Sequence, residues 1–286
     1  MPIDYDKIKN WPFPEIEQTY TEKDSILYAL GVGYGHDPMD AAQLQFVYEQ
    51  GLKAVPTMPV VLANPGFWAK DPATGIDWVR IVHGEQALRI HQPIPAAGTV
   101  IGRMRIKAIV DKGKDKGALL VQERSIVDKA SGALLATLEH TTFCRGDGGF
   151  GKGDASPPPP PAVPAGAPDA TCDLPTLPQS ALIYRLCADR NPLHADPAVA
   201  RAAGFPRPIL HGLCSYGVAG HAILKTYCGY DPAKLTGLAL RFSAPVFPGE
   251  TIRTEMWERG GRIQFRARVP ERDLVVLNNG VATIAA

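Results

Sequence analysis

Eight segments of the 286-residue chain alternate apolar and polar positions with a period of two. Four lie in the first half: EQALRIHQPI (85–94), TVIGRMRIKAIV (99–110), ALLVQERSIVD (118–128) and ALLATLEHTTFC (133–144). Four lie in the second: LALRFSAPVF (238–247), TIRTEMWER (251–259), RIQFRARV (262–269) and LVVLNNGVATI (274–284). This period, with breaks such as PGE and GG, predicts antiparallel strands. The spacing changes upstream of the second set. SALIYRLCADRNP (180–192) has helical spacing and runs into an Asn-Pro turn, and DPAVARAAGF (196–205) predicts a short helix closed by Gly204. ILHGLCSYGVAGHAILKTYCGY (209–230) predicts a longer helix ending near Gly229, with Gly217, Ala219 and Gly220 small enough for close packing. A buried helix followed by a curled antiparallel sheet is an α+β arrangement. The pattern predicts two such sheets, each wrapped on its own long helix, packed as a pseudo-dimer within one chain.

The two sets are separated by GGFGKGDASPPPPPAVPAGAPDA (148–170), a Gly/Pro-rich linker with no core of its own. This divides the chain into an N-terminal unit (1–147), the linker (148–170) and a C-terminal unit (171–286). The flanking halves resemble each other. LRIHQPIPAAGTV from Leu88 aligns without gaps on LRFSAPVFPGETI from Leu240, a separation of 152 residues. At the same separation VPTMPVV (55–61) falls on RPILHGL (207–213), and YALGVGYGHDP at Tyr28 matches YRLCADRNP at Tyr184 more loosely. Three matches in one order indicate a tandem duplication.

The copies differ in their polar groups. Where the second half has Asp189, Asn191 and His194, the first has the Gly-rich GVGYGHDP; where the second has His211 and Gly212, the first has Pro59 and Val60. If the halves share a fold, the retained polar groups are not needed for folding, which points to chemistry. Asn191 and Pro192 also suit a plain turn and helix start, but capping leaves Asp189 and His194 unexplained.

Composition narrows the chemistry. Lys plus Arg total 30 against 29 for Asp plus Glu, so no global field favours nucleic acid or an anionic membrane. No stretch approaches the roughly 20 apolar residues of a membrane span. Five widely spaced cysteines without a CxxC pair argue against a disulfide framework, and no two histidines have HExxH spacing, so no metal is expected. The N-terminal stretch is charged and Pro-broken, and the final TIAA is no peroxisomal tripeptide, so a reducing cytoplasm is the expectation. GVGYG lacks the glycine spacing of a dinucleotide loop, and GDGGFGKG has no Gly-Lys-Ser/Thr. Cys214 reads as a small core residue, His211 as a hydrogen bonder at the helix start or a pocket wall, and His221 as packed or solvated.

The run Tyr184, Leu186, Asp189, Asn191, Pro192, Leu193, His194, followed by GFPRPILHGLCSYG, resembles the signature of the type 2 (R-specific) enoyl-CoA hydratases and MaoC-like dehydratases. With LYALGVG, VHGEQ, VDKG and GGFG in the first half, the resemblance covers almost the whole chain and is similar to the hydratase domain of peroxisomal multifunctional enzymes type 2. It implies a double hot-dog fold with the dyad kept only in the C-terminal repeat, reversible hydration of trans-2-enoyl-CoA to (3R)-3-hydroxyacyl-CoA, and a homodimer. It implies no cofactor, CoA being part of the acyl-CoA substrate. The reaction needs a held water, groups that move its proton, and donors for an enolate-like oxygen. Asp189 and His194 can reach one water, Asn191 can orient it or bond the thioester, and the Gly212 N–H in the first helical turn suits the oxyanion. Which of Asp189 and His194 is base and which acid stays open.

By resemblance the CoA contacts are His83 and Gly84, Lys112 as a phosphate-holding point charge, Arg190, Pro192 and Leu193 around the dyad, and Arg241 or Phe242. The last two point to opposite faces of a strand, so at most one touches ligand. Glu49 also matches a family position and reads as a buried structural acid. The Gly-rich 31–40 region suggests a roomy or mobile tail pocket. A hot-dog acyl-CoA thioesterase and a non-catalytic acyl-CoA binding module are the alternatives.

Overall fold

The computed structural model describes residues 3–158, 160–187 and 189–285. In chain order the elements are α1 (Tyr5–Lys9), β1 (Ile16–Tyr20), α2 (Glu22–Gly31), α3 (Leu44–Val47), β2 (Ile81–Ile90), β3 (Gly98–Asp111), β4 (Ala118–Asp128), β5 (Leu134–Cys144) and β6 (Ala170–Pro175). Then come α4 (Ser180–Tyr184), α5 (Pro197–Ala202), α6 (Gly212–Cys228), β7 (Leu235–Phe242), β8 (Thr251–Arg259), β9 (Arg262–Val269) and β10 (Leu274–Ile284). All eight strands expected from the alternation form. The short edge strands β1 and β6 join them, with β6 starting inside the predicted linker.

The strands make one sheet, ordered β1-β3-β4-β5-β2-β7-β10-β9-β8-β6. This corrects the expected pair of packed sheets: β2 and β7 hydrogen-bond to each other and fuse the halves. Their register carries the duplication. Ala87 faces Ala239, Gln86 faces Leu240, and Leu88 faces Leu238, so a shift of 152 residues maps the pairing onto itself. The internal two-fold passes through Ala87 and Ala239. On the helical side, Tyr28 of α2 and Tyr184 of α4 meet across the same axis, with ring centroids 6.0 Å apart.

Helix α6 is apolar on nearly every face, as a core helix must be, and every residue from Cys214 to Leu224 is buried. Burying each large apolar side chain stabilises by about 1.5–3 kcal/mol. The expected glycine packing holds: a Cβ on Gly217 would lie 2.4 Å from Val32 Cγ1, and one on Gly220 2.6 Å from Thr57 Cγ2. The helix stops at Gly229, which takes the left-handed conformation (φ 56°).

Among the described residues the first half has no matching long helix, a second correction. Its counterpart of the α6 start is a 3-10 turn, Met58–Val61. Pro59 lacks the N–H that a continuing helix would use, and Val60 and Val61 are β-branched. Buried Arg124 on β4 fixes this turn by donating from Nη2 to Val60 O at 2.9 Å. No carboxylate partners it among the described residues, and burial pulls its guanidinium down to about 10.

Two further expectations change. The predicted helix over 180–192 is only α4, followed by turns; it crosses Ala188, which lies outside the described residues. The Gly-rich 31–40 region is open only in part: Gly31, Val32 and Tyr34 are buried, with Tyr34 stacked on His221 at 3.7 Å, while Gly35 to Met39 are exposed. The linker lies along the sheet: Trp257 Nε1 donates to Ala167 O at 2.9 Å, and Asn279 Nδ2 to Pro161 O at 2.9 Å.

Candidate active site

Asp189, Asn191 and His194 sit on the turn between α4 and α5, and a short 3-10 turn over Pro192–His194 sets their order. Asn191 Oδ1 accepts from Leu193 N–H at 3.1 Å, capping that turn, while Asp189 Oδ1 accepts from Asn191 N–H at 2.9 Å. The other Asp189 oxygen is therefore left to face His194, with Oδ2 4.0 Å from Nε2. That separation is too long for a direct hydrogen bond and suits two groups sharing one small polar partner. Asp189 is half exposed, whereas His194 is buried.

A neutral imidazole has one donor and one acceptor nitrogen. His194 Nδ1 lies 2.9 Å from Ile209 O. A carbonyl only accepts, so Nδ1 carries the hydrogen and Nε2 turns a lone pair towards Asp189. Burial lowers the His194 pKa below the ordinary histidine value, with the Ile209 carbonyl and Asp189 opposing it. The ring is neutral at pH 7.

His211, the residue before α6, stacks on His194 with centroids 3.7 Å apart and planes 26° apart. Its Nε2 donates to Asp189 O at 3.0 Å, so it ties the dyad turn to the helix start. Burial first, and then the neighbouring His194, pull its pKa down to about 4. Its Nδ1 is buried with no hydrogen-bond partner among the described residues, as is the hydroxyl of Tyr184, whose ring lies 5.1 Å from His211.

Gly212 opens α6, and no side chain caps that end among the described residues. The N–H groups of Cys214 and Ser215 both reach His211 O, at 3.0 and 3.2 Å. Those of Gly212 and Leu213 belong to the first turn, where helical geometry offers no partner and the dipole is positive. A Cβ on Gly212 would stand 3.2 Å from Phe242 Cε1, so the glycine keeps the approach open. Phe242, at the end of β7, also touches the N-terminal half: its centroid is 4.5 Å from that of His83, which stacks on His140 at 3.6 Å. Burial pulls His83 down to about 4 and His140 below its ordinary value.

The MaoC like domain family matches residues 161–279, and the MFE-2 hydratase 2 N-terminal domain family matches residues 18–146. The chain is 41% identical over 277 residues to 3-hydroxyacyl-thioester dehydratase Y of Mycobacterium tuberculosis, covering 93% of each chain. It is 38% identical over 292 residues to the enoyl-CoA hydratase ChsH3 of the same organism, covering the whole of both. It belongs to the MaoC-like hydratase 2 family. The crystal structure of a MaoC-like dehydratase from Phytophthora capsici superposes with a TM-score of 0.88 at 36% identity, covering 99% of each chain. The fold of this family member is the double hot-dog.

The MaoC-like hydratase 2 frame brings together Asp189, Asn191, His194, Gly212, Phe242 and His83. Gly84 sits at the irregularity in β2 between His83 and Glu85, and its Cβ would lie 3.2 Å from Thr141 O. Leu193 is partly buried beside His194, while Arg190 and Pro192 are exposed on the same turn. Arg241 is not part of the constellation. It points to the opposite face of the sheet and pairs with Glu85 at 2.6 Å. Lys112 stands at the β3–β4 loop, with Nζ 5.7 Å from the Phe143 ring. Glu49 is exposed, against the expectation of a buried acid. Cys214 is buried as expected, with Sγ 3.2 Å from Gly31 O. His211 is a hydrogen bonder at the helix start, one of its two expected readings; the place of His140 was missed. For His140 the available signal was a histidine at an inward position of an alternating strand. The 140 Å³ cleft beneath Pro160 and Pro161 lies on the sheet face of Glu85 and Glu139, away from the dyad.

Proposed function

We propose that this chain catalyses the reversible hydration of trans-2-enoyl-CoA to (3R)-3-hydroxyacyl-CoA, as a hydro-lyase in which Asp189 and His194 hold the reacting water. The carrying observation is the 4.0 Å gap between Asp189 Oδ2 and His194 Nε2, both acceptors, beside the uncapped start of α6. Water donates one hydrogen to each. As its oxygen adds to C3, His194 Nε2 takes a proton. The electron pair of the C2–C3 double bond moves to the thioester oxygen, which the Gly212 N–H receives. The proton gained by the dyad is the one C2 then needs, so its return completes the product and restores both groups. His194 is thus the first acceptor and Asp189 orients the water and stabilises the imidazolium. Asn191 holds the turn.

Phe242 and His83 wall the thioester, and the basic loop at Lys112 suits the CoA phosphates. No cofactor is required, because the reaction is a proton-coupled addition without redox change. A homodimer and a reducing compartment such as the cytoplasm complete the reading. All five cysteines are free, and no helix among the described residues is long and apolar enough to cross a membrane.

The test follows the conjugated thioester absorbance of trans-2-decenoyl-CoA, with chiral analysis of the product. Asp189→Asn and His194→Ala are each expected to lower kcat/KM by about 10² or more, the usual weight of positioned acid–base groups. Release of free thiol in place of a hydroxy product would identify a thioesterase. Acyl-CoA binding without turnover would leave a binding module.

A further inference from the structure

The inner face of the N-terminal half carries a polar strip. Gln122 of β4, His140 of β5 and Gln86 of β2 stand opposite one another in register, Arg124 and Thr142 take the next inward positions on β4 and β5, and His83 stacks on His140. The strip divides the core. Leu120 and Cys144, towards one end of these strands, belong to one apolar cluster, while Ile126 and Leu138, towards the other, belong to a second. The equivalent strand of the other half, also third from the β2–β7 junction, is β9, whose inward residues Ile263, Phe265, Ala267 and Val269 are all apolar and buried. The fold therefore does not require polar groups here.

Most of the strip satisfies itself. Trp68 Nε1 donates to Gln122 Oε1 at 2.8 Å, Gln122 Nε2 to Thr142 Oγ1 at 2.9 Å, and His83 Nε2 to Glu85 O at 3.1 Å. Arg124 is the exception. It is only 9% exposed, its Nη2 serves the Val60 carbonyl, and its Nε is buried with no partner among the described residues. Lowered to about 10 by burial, the guanidinium is still charged at pH 7, whereas burial keeps His83 and His140 neutral. Holding a carbonyl needs one neutral donor, and burying a charge without a counter-ion carries a large desolvation cost. The charge points to an anion brought from outside.

We propose that Arg124 receives a carboxylate at the far end of the acyl chain, making ω-carboxy-2-enoyl-CoA the preferred substrate class. The proposal rests on the hydratase reading. Phe242 of β7 and His83 of β2 wall the thioester, and the strands β7, β2, β5 and β4 lie side by side. Three spacings of about 4.8 Å put Arg124 about 14 Å from Phe242. A decenedioyl chain, with about nine bonds of roughly 1.5 Å in a zigzag and one hydrogen bond of about 2.8 Å, covers the same distance. His83 and His140, the members nearest Phe242, are only partly buried, whereas Arg124 at the far end is closed in. A carboxylate there is desolvated together with its partner, which strengthens the charge-assisted hydrogen bond between them.

Steady-state hydration of trans-2-decenedioyl-CoA and trans-2-decenoyl-CoA is compared in the full-length protein and in Arg124→Met, which keeps the stem without the charge. The unmutated protein should show the higher kcat/KM with the diacid, through a lower KM. Arg124→Met should shift the ratio of the two kcat/KM values towards the monoacid by about 10–100-fold, the weight of a hydrogen bond to a charged group. Arg124→Lys keeps the charge and should retain part of the preference. An unmutated protein that prefers the monoacid, or an unchanged ratio in folded Arg124→Met, overturns the proposal and leaves the guanidinium as a clamp on the turn. If Arg124→Met does not fold, the preference of the unmutated protein decides. No turnover of either substrate overturns the hydratase reading instead. Calorimetry with decanedioyl-CoA and decanoyl-CoA then judges the anion site, tighter binding of the diacid supporting it and equal or weaker binding overturning it.

Discussion

Gly212→Ala separates the catalytic demand on the start of α6 from its structural one. The added Cβ would meet Phe242 Cε1 at 3.2 Å, Cδ1 at 3.3 Å and Cζ at 3.6 Å. These contacts are tight without being prohibitive, and Phe242 is only partly buried, so its ring can yield by a few tenths of an ångström. Against that strain stands a better helix former, worth up to about 1 kcal/mol over glycine in a helix interior and less at its first residue. The two effects nearly cancel, and Tm should move by no more than about 4 °C. The cost to catalysis is larger, because the methyl and the displaced ring crowd the position from which a thioester oxygen reaches the N–H. Loss of one oxyanion donor costs about 10²–10³ in rate, and partial obstruction should take between about 10-fold and that full amount from kcat. The assay pairs steady-state hydration of trans-2-decenoyl-CoA with thermal unfolding. A kcat close to that of the unmutated protein, with Tm unchanged, would refute the placing of the oxyanion at Gly212.

Other expectations follow from packing and titration. Gly217→Ala drives a methyl to 2.4 Å from Val32 Cγ1 deep in the core; overpacking of this kind costs about 1–3 kcal/mol, and a lowered urea midpoint checks it. Stability should also fall in mild acid. Burial pulls His221 down to about 4 from an ordinary value of 6.5, so the native state binds fewer protons than the unfolded chain between those limits. Its contribution is complete above about pH 6.5, declines as pH falls, and is lost below about 4, a total of about 3 kcal/mol. Urea midpoints measured across that range should flatten in His221→Gln, and an unchanged slope would contradict the assignment.

What the sequence disclosed depended on the scale of the signal. The alternation of strands is local, so the eight core strands were legible, whereas the five-residue IEQTY and the half-polar ATCDLP carry too little pattern to stand out. Pairing between halves is not local, and no periodicity says that β2 and β7 share an edge. The duplication argument overreached in expecting a second long helix: similarity of VPTMPVV to RPILHGL was real, yet Pro59 and Val60 are the residues that stop one. The same difference marked the candidate site, because Asp189, His194 and Gly212 stand where the first copy has no such polar groups or glycine. Arg241 was separable from Phe242 by strand alternation alone. His211 was harder, since its role lies in which carbonyl it meets and which ring it stacks on, and both partners come from elsewhere in the chain.

The internal two-fold offers two equivalent positions for a helix start facing the β2–β7 junction, and only one is armed. At the other, Val60 replaces the glycine and Arg124 Nη2 is spent on the Val60 carbonyl, so that end of the first half is closed by its own side chains. The first half still contributes to the candidate site. His83 and His140 back the Phe242 ring, and Val32 of the first half fills the groove left by Gly217 in α6. Strand β7 would be an unpaired apolar edge without β2, and α6 would lose one wall of its packing. The first repeat is therefore kept for what it presses against, and a loss of polar groups there is compatible with full retention of its fold.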